Sequence, residues 1–361
     1  MCWKKVVSLG GDEFILVTPY VSKDIEVANE KAKGFSSLIQ DVFLKPIVVK
    51  DIPLHLQASI GILVIEPNEM NIEEIIRHAD LTMYQAKRES SRVAYYDSSL
   101  DKKQKELFML QNNLAYATKN NQLKLFFQPI VSMKDESLYA AEVLIRWEHP
   151  SKGLLLPTEF ISLAVKAGIL SKITWWIIDQ VYSQIARWKH DGQWKLNYVS
   201  INVNATQLLE QDFAKVFLRK LHVYGLEAHD VVLEITERSL IDNFDNTQNV
   251  INELKEGGVR CAVDDFGTGY SSLSYLKKLS FDILKIDRLF IKDIEEHANE
   301  VVLVNTILDI GRQFNYTMVI EGIENEGQKN ILLELDDNLY YQGYLFSKPI
   351  NAEDFTKKFL N

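Results

Sequence analysis

The sequence predicts an α/β chain in two parts: a TIM-like (β/α)8 barrel occupying most of its length, preceded by a smaller, partial α+β part. Three observations carry this. Eight short apolar runs follow one another after Leu123, separated by helical stretches at roughly 30 residues per strand-helix-strand unit. Nearly every run ends in a carboxylate, an amide or a lysine, and barrels carry their chemistry at the C-terminal ends of strands. Finally, 361 residues with 47% hydrophobic content can bury one large core and one small one.

The smaller part comes first. Val6 to Val17 is two apolar strands about the Gly10-Gly11 turn, a hairpin signal. A helix follows over Glu26 to Leu44, then a strand ending in Ser59-Ile60-Gly61-Ile62-Leu63-Val64. The next helix, Ile72 to Lys87, places Ile75, Ile76, Ala79, Met83 and Ala86 on one face. Ser98-Ser99-Leu100-Asp101 is a polar helix-start signal, so the expected boundary divides residues 1–97 from residues 98–361. In the helix that starts there, Leu107, Leu110, Leu114 and Ala117 share a face, and Lys102, Lys103 and Lys105 form its solvated side.

The eight runs are Leu125 to Val131, Tyr139 to Trp147, Val199 to Val203, Val231 to Thr236, Val259 to Asp264, Ile283 to Ile286, Met318 to Ile320 and Tyr341 to Phe346. Between them lie helices, among them Ile173 to Trp188, Asn246 to Lys255 and Glu300 to Phe314. Trp175, Trp176 and Trp188 read as helix-to-barrel packing rather than a ligand cage.

Composition narrows the function. A net charge of −10 argues against a nucleic-acid polymer or an anionic membrane surface as partner, so phosphate chemistry here needs metal. Two cysteines, Cys2 and Cys261, are too few for a disulfide framework or a zinc site, which points to the reducing cytoplasm. No uncharged apolar run has the length of a membrane span, so no membrane is expected.

The site is expected around Arg260 to Leu273, a short strand that runs into Asp264-Asp265 and a glycine-spaced loop. Adjacent carboxylates repel unless something positive lies between them, and divalent cations are one answer. Loop aspartates capping the next helix are the other reading. The remaining runs weigh on the choice. Period-2 alternation turns Glu142, Leu144 and Arg146 to one face, and other runs end at Asn202, at Glu234 and Glu237, at Lys285 and Asp287, and at Glu321 and Glu324. So many acids on one rim would have to take up protons without cations, and hard oxygen ligands in this number suit magnesium or manganese.

Two resemblances rest on these residues. Gly10-Gly11-Asp12-Glu13-Phe14, Ser59-Ile60-Gly61 and Ala79-Asp80 with Met83-Tyr84 and Ala86-Lys87 resemble the second half of a GGDEF (diguanylate cyclase) domain. The half that supplies a metal-binding aspartate and the guanine contacts is expected before Met1. Ser8, Ser90-Ser91-Arg92, and Met1 and Lys4 at the product-site positions depart from that family. A degenerate remnant without cyclase activity is therefore expected.

From about Leu100 onward the chain resembles the EAL family of cyclic di-GMP phosphodiesterases. The motifs are Phe127-Gln128-Pro129-Ile130, Glu142-x-Leu144-x-Arg146, Asn202, Glu234-Ile235-Thr236-Glu237, Asp264 to Leu273, Lys285-Ile286-Asp287, Glu321-Gly322-Ile323-Glu324 and Gln342-Gly343-Tyr344. The resemblance implies two-metal hydrolysis of cyclic di-GMP to the linear dinucleotide pGpG, with two Mg2+ or Mn2+ ions and with Ca2+ inhibitory. It implies Glu142, Asn202, Glu234 and Asp264 on the first ion, and Asp264 and Asp265 on the second. Lys285 would orient the nucleophile and Glu321 would accept its proton, while Arg146 reads as a phosphate contact. Gln128, Leu144, Asp287, Glu324 and Gln342 are substrate positions or rim packing. Glu237 would anchor the Asp265 to Leu273 loop, whose Tyr270 lies at a homodimer contact. Val143 replaces the family alanine and should affect packing only, while Val165 stands where a glutamate is usual. A receptor that binds without cutting, and an interaction module acting through the N-terminal part, are the alternatives.

Overall fold

A computed structural model describes residues 5–18, 21–65, 71–237, 244–267 and 281–361. Two compact units divide the chain, residues 1–107 and 108–361.

In the first unit, β1 (Lys5–Gly10) and β2 (Glu13–Val17) form the antiparallel hairpin that the apolar runs about Gly10-Gly11 imply. The helix α1 (Ile25–Phe43) is N-capped by Asp24, whose carboxylate accepts from Glu26 N at 2.9 Å. A second hairpin, β3 (Ile47–Val49) with β4 (Ile52–Leu54), has no counterpart in the sequence reading. The strands β5 (Ile60–Ile62) and β6 (Val93–Tyr95) are parallel and joined through α2 (Ile72–Ala86). Gly61 is needed there because a Cβ would lie 2.3 Å from Met83 N on α2. Met1 and Lys4, at the product-site positions, lie outside the described residues.

The helix α3 (Ser98–Ala117) starts at the predicted serine. Leu110, Leu114 and Ala117 are buried, but Leu107 is 41% exposed and leaves the expected stripe. Beyond α3, the strands β7 (Leu123–Ser132), β8 (Leu138–His149), β10 (Val199–Asn202), β11 (Val231–Thr236), β12 (Arg260–Phe266), β13 (Ile283–Ile286), β14 (Thr317–Glu321) and β15 (Tyr340–Gln342) close into an eight-stranded barrel. Two short strands flank it, β9 (Gly153–Leu155) on β8 and β16 (Ile350–Asn351) on β7. The expected uniform strand-helix repeat needs one correction. β7 runs antiparallel to both β8 and β15, because residues 133–137 are too short a link for the crossover that parallel strands require.

Helices wrap the outside, including α4 (Pro157–Lys166), α5 (Leu170–His190), α6 (Ala205–Leu208), α7 (Phe213–Val223), α8 (Phe244–Glu256), α9 (Ala298–Phe314), α10 (Glu326–Leu335) and α11 (Ala352–Phe355). Trp188 on α5 is buried, with its ring edge-on to Phe127 at 5.1 Å and its Nε1 donating to Thr356 Oγ1 at 2.6 Å. Trp175 and Trp176 pack, partly buried, against the same core. Outward strand positions such as Val143, Ile201, Leu233, Ile235 and Val263 meet these helices.

Inward positions form layers. Ile130, Ala140, Tyr198, Val232, Ala262, Ile283 and Val319 make an apolar plug. One same-face step further, two residues along each strand, stand Gln128, Glu142, Ser200, Glu234, Asp264, Lys285 and Glu321. No helix among the described residues is long and apolar enough to cross a membrane.

Candidate active site at the C-terminal rim of the barrel

Lys285, 1% exposed, is the hub of the polar layer. Its Nζ lies 2.6 Å from Glu321 Oε1, 2.9 Å from Glu234 Oε2, and 3.2 Å from both Glu142 Oε2 and Asp264 Oδ1. These side chains come from β13, β14, β11, β8 and β12, so the closed barrel brings together what the sequence spreads over 180 positions, Glu142 to Glu321. Two amides complete the layer. Asn202 Nδ2 donates to Glu142 Oε1 at 2.7 Å, and Gln342 Nε2 donates to Glu142 Oε2 at 2.6 Å.

The charges set one another. Burial works against the Lys285 ammonium, but Asp264, Glu142, Glu234 and Glu321 hold its pKa well above the ordinary lysine value. Burial also works against the Glu142 carboxylate, yet the charge on Lys285 and the hydrogen bonds from Gln342 and Asn202 leave it more acidic than usual. Glu234 has no such amide shell. Burial, then repulsion from Glu142 and Asp264, pushes it up to about 8 against the pull of Lys285. Burial likewise raises Glu321 well above the carboxylate range.

The two adjacent aspartates take different places because β12 is irregular. Its register with β13 shifts between Val263 and Phe266, and Asp265 adopts a left-handed φ of 54°. The bulge lets consecutive acids serve one site. Asp265 is raised to about 6 by burial, by the charge on Asp264 and by a hydrogen bond with Asp287. Asp287 Oδ1 in turn accepts from Leu289 N at 2.8 Å, capping the turn after β13. Past the bulge, Gly267 N donates to Glu237 Oε2 at 2.8 Å. Gly267 has φ +94°, and a Cβ there would lie 2.5 Å from the Phe290 ring, so glycine is required. Glu237 thus holds the start of the loop. The remainder of that loop from Thr268 to Leu273, Tyr270 included, lies outside the described residues.

The donors fit divalent cations. Asp264, Asp265 and Glu321 offer carboxylate oxygens that all lie within 4.8 Å of one another. Asp264 Oδ1, apart from its ion pair with Lys285, and Gln342 Oε1 are buried acceptors that receive no hydrogen bond. Hard oxygens with unused lone pairs, facing one another, are what magnesium-like ions bind. Asn202 presents its amide nitrogen to Glu142, and a half-turn of the amide would present Oδ1 instead.

Further residues ring this centre. Gln128 Nε2 donates to Ser347 O at 3.1 Å, tying β7 to the loop after β15. Arg146 is 8% exposed, two same-face steps beyond Glu142 on β8, with its guanidinium 5.6 Å from the Phe126 ring centre. Leu144, between them, is partly buried. Glu324 stands apart: it is half-exposed and faces Arg288 at 3.7 Å. Val143 points outward into the apolar core, and Val165 is an exposed position on α4. Sequence reasoning missed Ser200, buried in the same layer as Glu234, and Ser347; alternation along β10 from Asn202 was the available signal for Ser200.

With this geometry in place, comparison identifies the class. Residues 111–349 match the EAL domain, and the chain belongs to that family. Residues 4–92 match the family described as diguanylate cyclase, GGDEF domain. The chain is 35% identical over 351 residues to the signaling protein YkoW of Bacillus subtilis, covering 97% of this chain and 43% of that protein. It is 32% identical to the bifunctional diguanylate cyclase/cyclic di-GMP phosphodiesterase MucR of Pseudomonas aeruginosa, covering 96% of this chain and 50% of MucR. It thus spans about half the length of these curated relatives. Among solved structures, the PaMucR phosphodiesterase in complex with c-di-GMP overlays with a TM-score of 0.65 at 34% identity, covering 68% of this chain and 99% of that one.

Proposed function

We propose that this chain hydrolyses cyclic di-GMP to linear pGpG, using two Mg2+ or Mn2+ ions. The observation that carries the reading is the buried layer in which Lys285 meets Glu142, Glu234, Asp264 and Glu321 beside Asp265. Glu142, Asn202, Glu234 and Asp264 would hold one ion, and Asp264 with Asp265 the other. Divalent ions bound there supply Lewis-acid stabilisation of phosphoryl charge and make water nucleophilic near neutral pH.

The chain's own residues then divide the work. Water oxygen bonds to phosphorus, the bond from phosphorus to O3′ breaks, Glu321 takes the proton of the attacking water, and the released O3′ takes up a proton from solvent to become the 3′-hydroxyl of pGpG. Its raised proton affinity suits it to that task. Lys285 offsets charge that grows on the phosphoryl oxygens in the transition state. Arg146 contacts phosphate through its fork of donors. Gln128, Leu144, Asp287, Glu324 and Gln342 line the substrate or support that lining. A cytoplasmic location, a homodimer formed through the face of the Asp265 to Leu273 loop, and a division into a partial GGDEF-like part over residues 1–97 and a barrel from residue 98 belong to the same reading.

The test is turnover of cyclic di-GMP by the purified chain with Mg2+ or Mn2+, followed by chromatography of the nucleotide. Accumulation of pGpG, absent with EDTA and with Ca2+, is the expected result. Tight binding with the cyclic nucleotide left intact over hours would establish a receptor instead.

A further inference from the structure

All of β8 beyond Arg146 is held by α3 or by the turn that leaves it. Trp147 is fully buried, and its Nε1 donates to Gln122 Oε1 at 3.2 Å. Glu148 N donates to Gln122 O at 2.8 Å. Ser151 N donates to His149 Nδ1 at 3.3 Å, which leaves the ring proton on Nε2. That nitrogen lies 3.1 Å from the Asn113 amide, and a half-turn of the amide presents Oδ1 to accept the proton. Burial, then the charge on Lys152, keeps the His149 pKa below the ordinary histidine value, so the ring is neutral at pH 7. His149 is 6% exposed and stands edge-on to Trp147, with ring centres 4.9 Å apart, so the imidazole end of this bond is shielded from water.

The helix that holds β8 does not belong to the barrel alone. α3 has 20 residues, about 30 Å of helix, and it starts in the first unit, which ends at Leu107. Leu110, Leu114 and Ala117 anchor its second half in the barrel core. An α-helix is hydrogen-bonded along its whole backbone, so a displacement at one end is carried to the other. What moves the first unit's end of α3 therefore acts on His149 through Asn113, and β8 carries the effect three residues back to Arg146.

We propose that Asn113 and His149 are positioning residues that set the Arg146 guanidinium for substrate, and that α3 makes this setting respond to the state of the first unit. The inference rests on the phosphodiesterase reading, in which Arg146 contacts phosphate. A guanidinium meets phosphate through a fork of fixed shape, so a backbone shift on the order of 1 Å at its root misaligns both donors.

The test is calorimetry of cyclic di-GMP binding to the full chain with Ca2+, beside turnover with Mg2+. Asn113→Leu removes the bond to His149, whereas Asn113→Asp keeps an acceptor for the Nε2 proton. We expect Asn113→Leu to weaken binding about threefold to tenfold, the size of one hydrogen bond, with KM rising in parallel and kcat changing less than about twofold. Asn113→Asp should bind within about twofold of the unmutated chain. In an Arg146→Ala background Asn113→Leu should add less than about 1.5-fold, because its effect runs through that guanidinium. Phe108→Pro breaks α3 at an exposed position where the helix passes between the units; it should change binding at least about threefold and add less than about 1.5-fold to Asn113→Leu. Unchanged binding in Asn113→Leu, equal losses with and without Arg146, or losses in the Leu and Asp variants that both track a lower barrel Tm would overturn the positioning. A Phe108→Pro effect that adds in full to that of Asn113→Leu, or none at all, would overturn the relay through α3. An unmutated chain that binds cyclic di-GMP but never cleaves it sinks the phosphodiesterase reading alone, since the binding comparisons still stand. One that does not bind at all overturns both.

Discussion

Replacing Lys285 with methionine keeps most of the side-chain volume and removes one charge from the centre of four carboxylates. Lys285 is 1% exposed, so solvent does not screen these contacts of 2.6 to 3.2 Å. Removing one partner of a buried ion pair costs about 3–5 kcal/mol. Protons can offset part of that loss, and the pH window follows from the shifts. The lysine pKa is raised, so its contribution is complete at every pH below the unfolded lysine value and is lost only above the folded one. Glu234 is raised to about 8, so it favours the fold below the unfolded carboxylate value and loses that contribution as pH climbs through about 8. At pH 6 Glu234 can be neutral and the variant loses least; at pH 9 the full penalty remains. For a barrel of this size that is about 6–20 °C in Tm at pH 9, and clearly less at pH 6. Tryptophan fluorescence in EDTA reads the barrel, since Trp147, Trp175, Trp176, Trp188 and Trp194 all lie beyond residue 108. Mn2+ should stabilise Lys285→Met more than the unmutated chain, because an ion replaces the missing charge. An equal Tm loss at both pH values would refute the electrostatic account, and so would no loss at all.

Four further outcomes are expected. Metal entry should displace protons from Glu234, raised to about 8, and Asp265, raised to about 6, so metal affinity should climb with pH and flatten above about 8; calorimetry at pH 7 in two buffers of unlike ionisation enthalpy would show no proton release if this is wrong. Alanine at Glu142, Asn202, Glu234 or Asp264 should abolish turnover through metal loss that excess Mn2+ partly reverses, whereas Glu321→Ala should lower the rate ~10²- to 10⁴-fold and still bind cyclic di-GMP in Ca2+. Glu237→Ala removes the carboxylate that holds Gly267 N and should reduce activity; light scattering that finds only monomer at full turnover would break the link we draw between loop and dimer. Incubation with GTP and Mg2+ should yield no cyclic di-GMP above background, and accumulation of that product would show a working cyclase in residues 1–97.

Which parts of this were legible in the sequence follows from periodicity. Seven barrel strands fall where apolar runs of strand length were found, because a barrel strand buries both faces and leaves an unbroken signal; the eighth run, Tyr341 to Phe346, was placed too far along, since β15 ends at Gln342 and Gly343 to Phe346 turn away from the sheet. The direction of β7 was not seen, since a hydrophobic run carries no polarity; only the short link over residues 133–137 does. The hairpin β3–β4 was missed because Lys50 and Asp51, its turn residues, both take positive φ without the glycine that advertises such a turn. Leu107 fell outside its helical stripe because periodicity gives a face and not what covers it. At the site, alternation placed Glu142 and Arg146 on one face. It could not show Lys285 at the centre of four carboxylates, which depends on the register between β13 and β14 and across the barrel.

That register also explains why an acidic cluster can exist before any ion arrives. The apolar plug and the charged layer are one same-face step apart on five strands: Ala140 and Glu142, Val232 and Glu234, Ala262 and Asp264, Ile283 and Lys285, Val319 and Glu321. The plug keeps water from the lower barrel, and a dry floor strengthens every interaction above it. Four carboxylates on that floor would unfold the barrel or bind protons, and Lys285 supplies the compensating charge from inside the same layer. The lysine therefore has a folding task independent of any chemical one. A substitution that spares folding but not turnover must keep the positive charge near this point while moving its hydrogen bonds, which is what Lys285→Arg would do by replacing a point charge with a planar fork of donors.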